Sequence, residues 1–396
     1  MTTKPALIHP FAGVVPPADK AHLVATRSYL SYSDEELRDK LSRNPYSYMH
    51  VIHPHGTPMP TGSDMGPIRS AFTSFVEKGW LYRDDTPHFY LLRQESEYGV
   101  VTGIIALVDT AAAERGDVKA HEATLARRET LFARYLEQVG LNAEPTLLAH
   151  RPLPALHAAR EAWMKRQPDL DFTTTDTVRH TLWKVPADEG EFTPLLAQIS
   201  ALYIADGHHR VASSQRLAQA HPDHPGAQRF MALIVDGDQL VFRGYHRRLL
   251  HDHGPEEWAA AVTTMTALDE VSILSNSAAL PEGTVELTLS GAAHQRLAVR
   301  LAQSDLTLPE WLQQRVFAPI FDIHQPRTDR RLRCLTESEH QCTPVPENQL
   351  AFVLPPLDFD QLAAAADDGR HMPPKSTWIA PKLRSGLVLY DFGPAT

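Results

Sequence analysis

Ile204, Ala205, Asp206, Gly207, His208, His209 and Arg210 form the stretch richest in potential chemistry in this 396-residue chain. The apolar run Leu202, Tyr203, Ile204, Ala205 reads as a buried strand. Asp206 and Gly207 then turn the chain, and Val211 to Ala220 continues with helical residue types. The segment therefore predicts a strand-to-helix corner. Such a corner presents backbone N–H groups and the positive end of a helix dipole. An arginine fork and two imidazoles added there make an anion cradle, above all for phosphate. A purely structural corner would use some of the same residues, because Asp caps helices and Gly turns chains. Five such residues directly after a buried strand favour the cradle.

Two further places carry candidate chemistry. His121 and Glu122 follow a Gly-Asp loop and precede a helical pattern. Glu122 there suits a general base taking a proton from a substrate hydroxyl, or a group holding a Mg²⁺-bound water. On the residues alone, a first-turn Glu favoured by the helix dipole is the stronger reading. Near the C-terminus, Met372 to Leu387 gathers Lys375, Ser376, Thr377, Lys382, Arg384 and Ser385 among prolines. These types serve polyphosphate or carboxylate recognition, and they also fit a solvated proline-rich loop. Gln325 to Arg331 reads as a basic, solvated turn with anion contact as the lesser alternative. His246 and Arg247 read as a strand end, either at a pocket rim or at the surface.

Several chemistries are excluded by pattern. His121-Glu122 lacks the second histidine of a zinc HExxH helix, and neither a GxxxxGK[ST] loop nor a GxGxxG fingerprint occurs. Ser213 and Ser214 lie in no GxSxG elbow. Cys334 and Cys342 alone cannot make a four-thiolate zinc site or an oxidised scaffold. A formal charge of −10, with 22% charged and 43% hydrophobic residues, describes an ordinary globular chain and argues against broad nucleic-acid or anionic-membrane binding. Met1 to Val15 shows no apolar h-region, and no run approaches the about 20 apolar residues of a membrane span. A cytoplasmic protein is expected.

The elements that must position these residues are short, punctuated by 31 prolines and 20 glycines. Ser33 to Glu36 reads as a capped helix start ending near Asn44-Pro45. Tyr48–Ile52 predicts a strand. Ile68, Phe72, Phe75 and Val76 predict an amphipathic helix closed by Gly79. Strands are expected at His88–Gln94, Val100–Val108 and Val178–Val185. Leu125, Leu131, Phe132, Tyr135 and Leu136 mark a helix ending at Gly140. Met231–Val235 and Leu240–Phe242, around Asp236-Gly237-Asp238, predict a hairpin. Later strands fall at Val285–Leu289, Arg296–Leu301, Ala351–Leu354 and Leu387–Phe392. Helices begin at Glu256 and cover Pro309–Phe317 and Phe359–Asp368. Strands and helices interleave without a βαβ rhythm, so the fold class is α+β, with mixed sheets and helices. The polar break at His251–Pro255 divides an N-terminal α+β domain, residues 1–252, from a C-terminal α+β domain, residues 253–396.

Taken together, the motifs resemble an uncharacterised family catalogued as domain of unknown function 1015, over nearly the whole chain. The resemblance rests on His9-Pro10-Phe11 with Gly13 and Val14, Asn44 to Ser47 leading to His50 and Val51, and His121-Glu122 with Thr124. It continues through Ile204 to Arg210, His246-Arg247, Pro326 to Asp329 and Met372 to Leu387. The chain departs from that family at Ser28-Tyr29-Leu30, where a Pro-Tyr-Asp-Val stretch is common, and in the loop after Glu122. The Asp206–Arg210 corner is also similar to the phosphate motif of the ParB/sulfiredoxin-like fold, which includes nucleotide switches, sulfiredoxins and free-serine kinases using ADP or ATP. That likeness implies a nucleotide-binding portion in which Asp206, Gly207, His209 and Arg210 hold phosphates and Glu122 is the base. The sulfiredoxin role does not transfer, because its reactive cysteine would fall at His208.

The resemblance therefore implies a small-molecule kinase, transferring a phosphoryl group from ATP or ADP, with Mg²⁺, to a small hydroxylated metabolite. Glu122, His209 and Arg210 are its expected catalytic residues. Asp206 to Arg210, Lys375, Ser376, Thr377, Lys382 and Arg384 are its expected nucleotide contacts. A nucleotide-binding regulatory switch and a phosphatase are the alternatives. The partners expected are a nucleotide and a small metabolite, not nucleic acid or a membrane. The sequence names no Mg²⁺ ligands and no oligomeric state.

Overall fold

Long apolar runs build the first sheet. In the computed structural model, which describes residues 7–28, 31–54, 64–189, 191–250, 253–301 and 306–395, the strands are β1 (Ile8–His9), β2 (His88–Ser96), β3 (Gly99–Asp109), β4 (Val118–Lys119), β5 (Thr146–His150), β6 (Leu170–Thr173), β7 (Arg179–Pro186), β8 (Leu202–Asp206) and β9 (Arg229–Asp236). Tyr29, Leu30 and residues 251–252 of the polar break lie outside the described residues. The strand order is β4-β8-β5-β9-β3-β2-β7-β6, with β1 on the outer end of β3. Strand β8 runs parallel to β4 and antiparallel to β5, while β9 runs parallel to β5 and antiparallel to β3, so the sheet is mixed. Val101–Val108 and Phe230–Asp236 are buried without alternation, as strands covered on both faces must be.

Helices are placed by their end signals. The first, α1 (Asp34–Arg43), starts at a Ser33 capping box, in which Glu36 N–H donates to Ser33 Oγ and Ser33 N–H to Glu36 Oε2. Gly66–Glu77 forms α2 and Ala126–Val139 forms α3, which ends at a left-handed Gly140. Pro154–Trp163 is α4, and His208–Ala220 is α5. Helix α5 packs on α3, where Ser213 Oγ donates to Glu129 O at 3.1 Å and Arg216 Nη1 to Thr130 Oγ1 at 2.9 Å.

The chain forms two compact units: Met1–Lys119, Thr124–Val241 and Pro381–Thr396 make one, and Ala120–Ala123 with Phe242–Ala380 the other. The second unit holds an all-antiparallel sheet of β10 (Tyr245–Leu249), β11 (Val271–Leu274), β12 (Thr284–Gly291), β13 (Gln295–Arg300), β14 (Leu332–Thr336) and β15 (Leu350–Val353), ordered β11-β13-β12-β15-β10-β14. Trp258 from helix α6 (Pro255–Thr266) packs with Trp311, Phe317, Phe321 and Phe352 as its core. Together the two units are α+β, with mixed sheets and helices, as the interleaved pattern predicts.

Four expectations need correction. Tyr48–Ile52 is not a strand: Met49–Ile52 is a single helical turn, with Ile52 N–H donating to Tyr48 O. Burial of Tyr48 and Val51 against Phe72 and Phe75 overrides the β-propensity of the segment. Met231–Val235 and Leu240–Phe242 form no hairpin, because both edges of β9 are taken by β5 and β3, and Val241–Arg243 sits in a separate sheet. The Pro309–Phe317 helix changes pitch: Leu308–Leu312 is α-helical, Gln313–Phe317 is a wider π-type turn, and Ala318–Phe321 resumes. Pro319 has no N–H to donate to Arg315 O, and the widened turn absorbs that missing bond. The final strand contracts to Tyr390–Asp391, pairing Leu141–Asn142.

A buried ion pair fixes the sheet where parallel strands β5 and β9 end together at His150 and Asp236. Arg160 of α4 binds the Asp236 carboxylate and donates to Thr102 O at 3.3 Å, and Gln239 Nε2 donates to Asp236 Oδ2 at 3.3 Å. Both Arg160 and Asp236 are almost fully buried, so neither charge can be rehydrated alone. Arg160→Met should therefore lower the unfolding free energy by about 3–5 kcal/mol in urea titrations. A loss below about 1 kcal/mol would mean that the pair does not hold the two strand ends.

Candidate active site

Strand β8 delivers Asp206 to the sheet end, and Gly207 reverses the chain with φ of 97° and ψ of 28°. That left-handed conformation strongly favours glycine. A Cβ on Gly207 would stand 2.8 Å from Arg210 Nε and Nη2, so the missing side chain also makes room for the guanidinium to fold back. Arg210 N–H and Val211 N–H donate to Gly207 O at 2.8 and 3.2 Å, and α5 begins without a side-chain cap. The strand, turn and helix are those the sequence predicts.

Charges around the corner are paired. Arg210 Nη2 donates to Asp206 Oδ2 at 3.0 Å, and its Nη1 binds Glu144 Oε1. Lys382, from the C-terminal segment of the same unit, donates from Nζ to Asp206 Oδ1 at 3.3 Å. Ser385 Oγ donates to Glu144 Oε2 at 3.1 Å, and Gln94 Nε2 donates to Lys382 O at 3.3 Å. The proline-flanked tail thus returns to the Asp206–Arg210 corner. Glu144 and Ser385 close the network, and Glu144 was not legible in the sequence: a lone acid before a proline has no spacing signal. Leu125 N–H donates to His209 Nε2 at 3.1 Å, which ties the first turn of α5 to the residue before α3.

Electrostatics follow from this pairing. Burial works to raise the Asp206 carboxyl, but Lys382 and Arg210 outweigh it and hold the group at about 2. Burial acts against the Arg210 charge, and Glu144 and Asp206 overcome that, raising its pKa further. Among the described residues no group of three or more His, Cys, Asp or Glu side chains is positioned to hold a metal ion.

Other expected site residues lie elsewhere. Arg384 is buried in the first unit against the loop after β6, donating from Nη2 to Asp176 Oδ2 at 2.7 Å and to Thr174 Oγ1 at 3.4 Å. His121, Glu122, Lys375, Ser376 and Thr377 belong to the second unit. His121 and Glu122 do not open a helix, which starts only at Ala126. They run instead beside Met372, whose N–H donates to His121 O at 2.8 Å. His121 Nε2 and Thr377 Oγ1 are 3.3 Å apart. Glu122 Oε1 accepts from Arg327 Nη2 at 2.9 Å, and the same nitrogen donates to Ala123 O at 2.8 Å. Arg327 thus uses its charge within the protein rather than in a solvated turn. Lys375 has φ of 56°, rare for a side-chain-bearing residue, and its Nζ lies 5.5 Å from the Tyr245 ring centroid. Ser376 Oγ donates to Pro373 O at 2.7 Å and Arg247 Nη2 to Pro374 O at 3.2 Å, bracing the loop. His246 and Arg247 are buried early in β10, not at a surface strand end.

The lowered Asp206 pKa fixes a sign. A carboxylate held below its ordinary value of 3.8 contributes stability fully above that pH, and loses it as pH falls toward about 2. Unfolding free energy followed from pH 5 to 2 should therefore drop for the wild type, and Asp206→Asn should flatten part of that drop. Superimposable profiles would show that Asp206 is not held by its two cations.

The family pattern described as "Protein of unknown function (DUF1015)" matches residues 8–328, and the chain belongs to that family. No curated protein matches it. Among solved structures it is similar to SbnI with a C-terminal truncation from Staphylococcus aureus, at 10% identity, covering 70% of this chain and 82% of that one, with a TM-score of 0.41. It is also similar to a free serine kinase in complex with AMP, at 14% identity over 71% of this chain and 90% of that one, with a TM-score of 0.38. A conserved hypothetical protein from Pyrococcus furiosus matches at 14% identity over 70% and 93%, with a TM-score of 0.36.

Proposed function

We propose that this member of a family of unknown function is a kinase acting on a small hydroxylated metabolite, with ATP or ADP as phosphoryl donor. One observation carries the reading: Gly207 lets Arg210 fold back at the start of α5, and Lys382 arrives at the same carboxylate from the far end of the sequence. A helix start with a guanidinium and an ammonium beside it has the donors that phosphate oxygens require.

Charge counting refines the ligand. Arg210 and Lys382 are balanced by Asp206 and Glu144, so an incoming phosphate must draw the cations away from the two carboxylates. A nucleotide whose charge is partly offset by Mg²⁺ suits such a corner better than a bare polyanion. The Mg²⁺ would come with the nucleotide, taking its ligands mainly from phosphate rather than from protein side chains. Arg210 and His209 offset charge developing on the transferred group, the effect that dominates phosphoryl transfer. Asp206, Gly207, His208 and Lys382 order the nucleotide site. Glu122, with Arg327 fixing one carboxylate oxygen, orients and deprotonates the acceptor hydroxyl.

Titration calorimetry with ADP and ATP plus Mg²⁺, and an assay for phosphorylated product, test this together. Arg210→Ala and Lys382→Ala should each weaken nucleotide binding by about tenfold or more, the scale of a charge-assisted hydrogen bond. Glu122→Gln should abolish transfer and leave nucleotide affinity within about twofold, since only the proton-accepting group changes. Turnover surviving in Glu122→Gln would remove Glu122 as the base. Nucleotide binding without product would identify a regulatory switch, and orthophosphate released from small phosphoesters would identify a phosphatase.

A further inference from the structure

A second group of buried polar side chains in the first unit lacks partners that folding normally supplies. His180 on β7 and Gln94 on β2 are directly opposed across the antiparallel pair, and Phe172 on β6 opposes His180 from the other side. Opposed residues share a sheet face, so all three line one surface. The His180 ring stacks on Phe172 at 5.3 Å with 23° between the planes. Arg384 belongs to the same cluster, anchored by Asp176 and Thr174 from the loop between β6 and β7.

His180 is 1% exposed, Gln94 4% and Arg384 7%. Among the described residues, neither ring nitrogen of His180, nor Gln94 Oε1, nor Arg384 Nε has a hydrogen-bond partner. Native proteins pair the great majority of buried polar atoms, because each one left unmade costs the desolvation of that atom. Four such atoms on three residues are therefore a gap of defined chemistry. It offers a guanidinium N–H, an amide oxygen and an imidazole, which has one donor and one acceptor nitrogen when neutral.

The charge of the cluster restricts what can fill that gap. Arg384 is matched by Asp176 at 2.7 Å. Burial, reinforced by Arg384, pushes the His180 pKa down to about 3, so the ring is neutral at ordinary pH. With no net charge to offer, the cluster would bury a net anion or cation at a large cost, whereas a net-neutral molecule meets both its donors and its acceptors.

We infer that Gln94, His180 and Arg384 form a binding pocket for a small, net-neutral polar molecule bearing a hydroxyl group, such as a zwitterionic hydroxy amino acid or a polyol. Its occupant is the phosphoryl acceptor; that role, and with it the hydroxyl group, rests on the kinase reading. Lys382 links the two places: its carbonyl accepts from Gln94 and its ammonium holds Asp206.

The test uses the full chain and four probes: L-serine, glycerol, D-glycerate and ethanolamine, read by thermal shift and calorimetry. Serine or glycerol should bind the wild type at least tenfold more tightly than glycerate or ethanolamine. His180→Phe should weaken that binding at least tenfold, with a Tm equal to or above that of the wild type, since an unpaired polar ring has been replaced by an apolar one. Gln94→Leu should weaken it as well, which covers the case in which the first variant does not fold. Binding of tripolyphosphate with Mg²⁺, which reports the Asp206–Arg210 corner, should be unchanged in His180→Phe. That readout separates the two ideas: loss of tripolyphosphate binding in Arg210→Ala alone bears on the kinase reading, not on this pocket. Wild type that binds none of the probes, prefers the charged ones, or binds serine equally after His180→Phe overturns the pocket. A crystal structure from serine and glycerol showing only ordered water on these atoms does the same.

Discussion

A carboxylate and a guanidinium four residues apart, facing each other across a left-handed glycine, set the terms for the first unit. Arg210 can reach Asp206 only because Gly207 carries no Cβ. Once there, it is also within reach of Glu144, which Ser385 secures from the other side. Without the glycine conformation, the guanidinium would be excluded from the space it fills. The carboxylates of Asp206 and Glu144 would then lose their shared counter-charge. The turn is a backbone constraint, but its effect is electrostatic.

Pairing all four charges stabilises the corner while leaving it responsive. A guanidinium held between two carboxylates is oriented before any ligand arrives, which lowers the ordering cost of recognition. The same pairing leaves no unbalanced positive field at the corner: the anion of the proposed reaction would have to exchange partners with Asp206 and Glu144. Neutral, pre-arranged ion networks discriminate by geometry more than by gross attraction. The second unit follows the same pattern at Glu122, whose carboxylate is held by Arg327.

What could be read from the sequence, and what could not, follows from the range of the forces involved. The corner at residues 206–210, the capping box at Ser33 and the helix closed by Gly140 rest on local backbone chemistry, which neighbouring residues display. Most of the misreadings turn on distant partners; the pitch change before Pro319 is the local exception. Tyr48–Ile52 has the composition of a strand, yet packing on Phe72 and Phe75 makes it one helical turn. Met231–Val235 resembles the first arm of a hairpin until its two edges are found to be occupied. Glu144 and Arg327 act through side chains 66 and 205 positions away from their partners, a separation at which no spacing rule operates. His180 is the extreme case. A lone histidine in an apolar strand gives no sign that its ring will be buried unbonded.

Lys382 lies 176 positions beyond the aspartate it contacts, and most of the intervening chain, Phe242–Ala380, belongs to the other unit. During synthesis, then, the ribosome delivers Asp206, Arg210 and Glu144 long before their last counter-ion. Until that lysine emerges, the nascent corner holds two acids and one base, and carries a surplus negative charge. Assembly of this region is consequently a late event in the life of each newly made molecule, completed only after the intervening unit has left the exit tunnel.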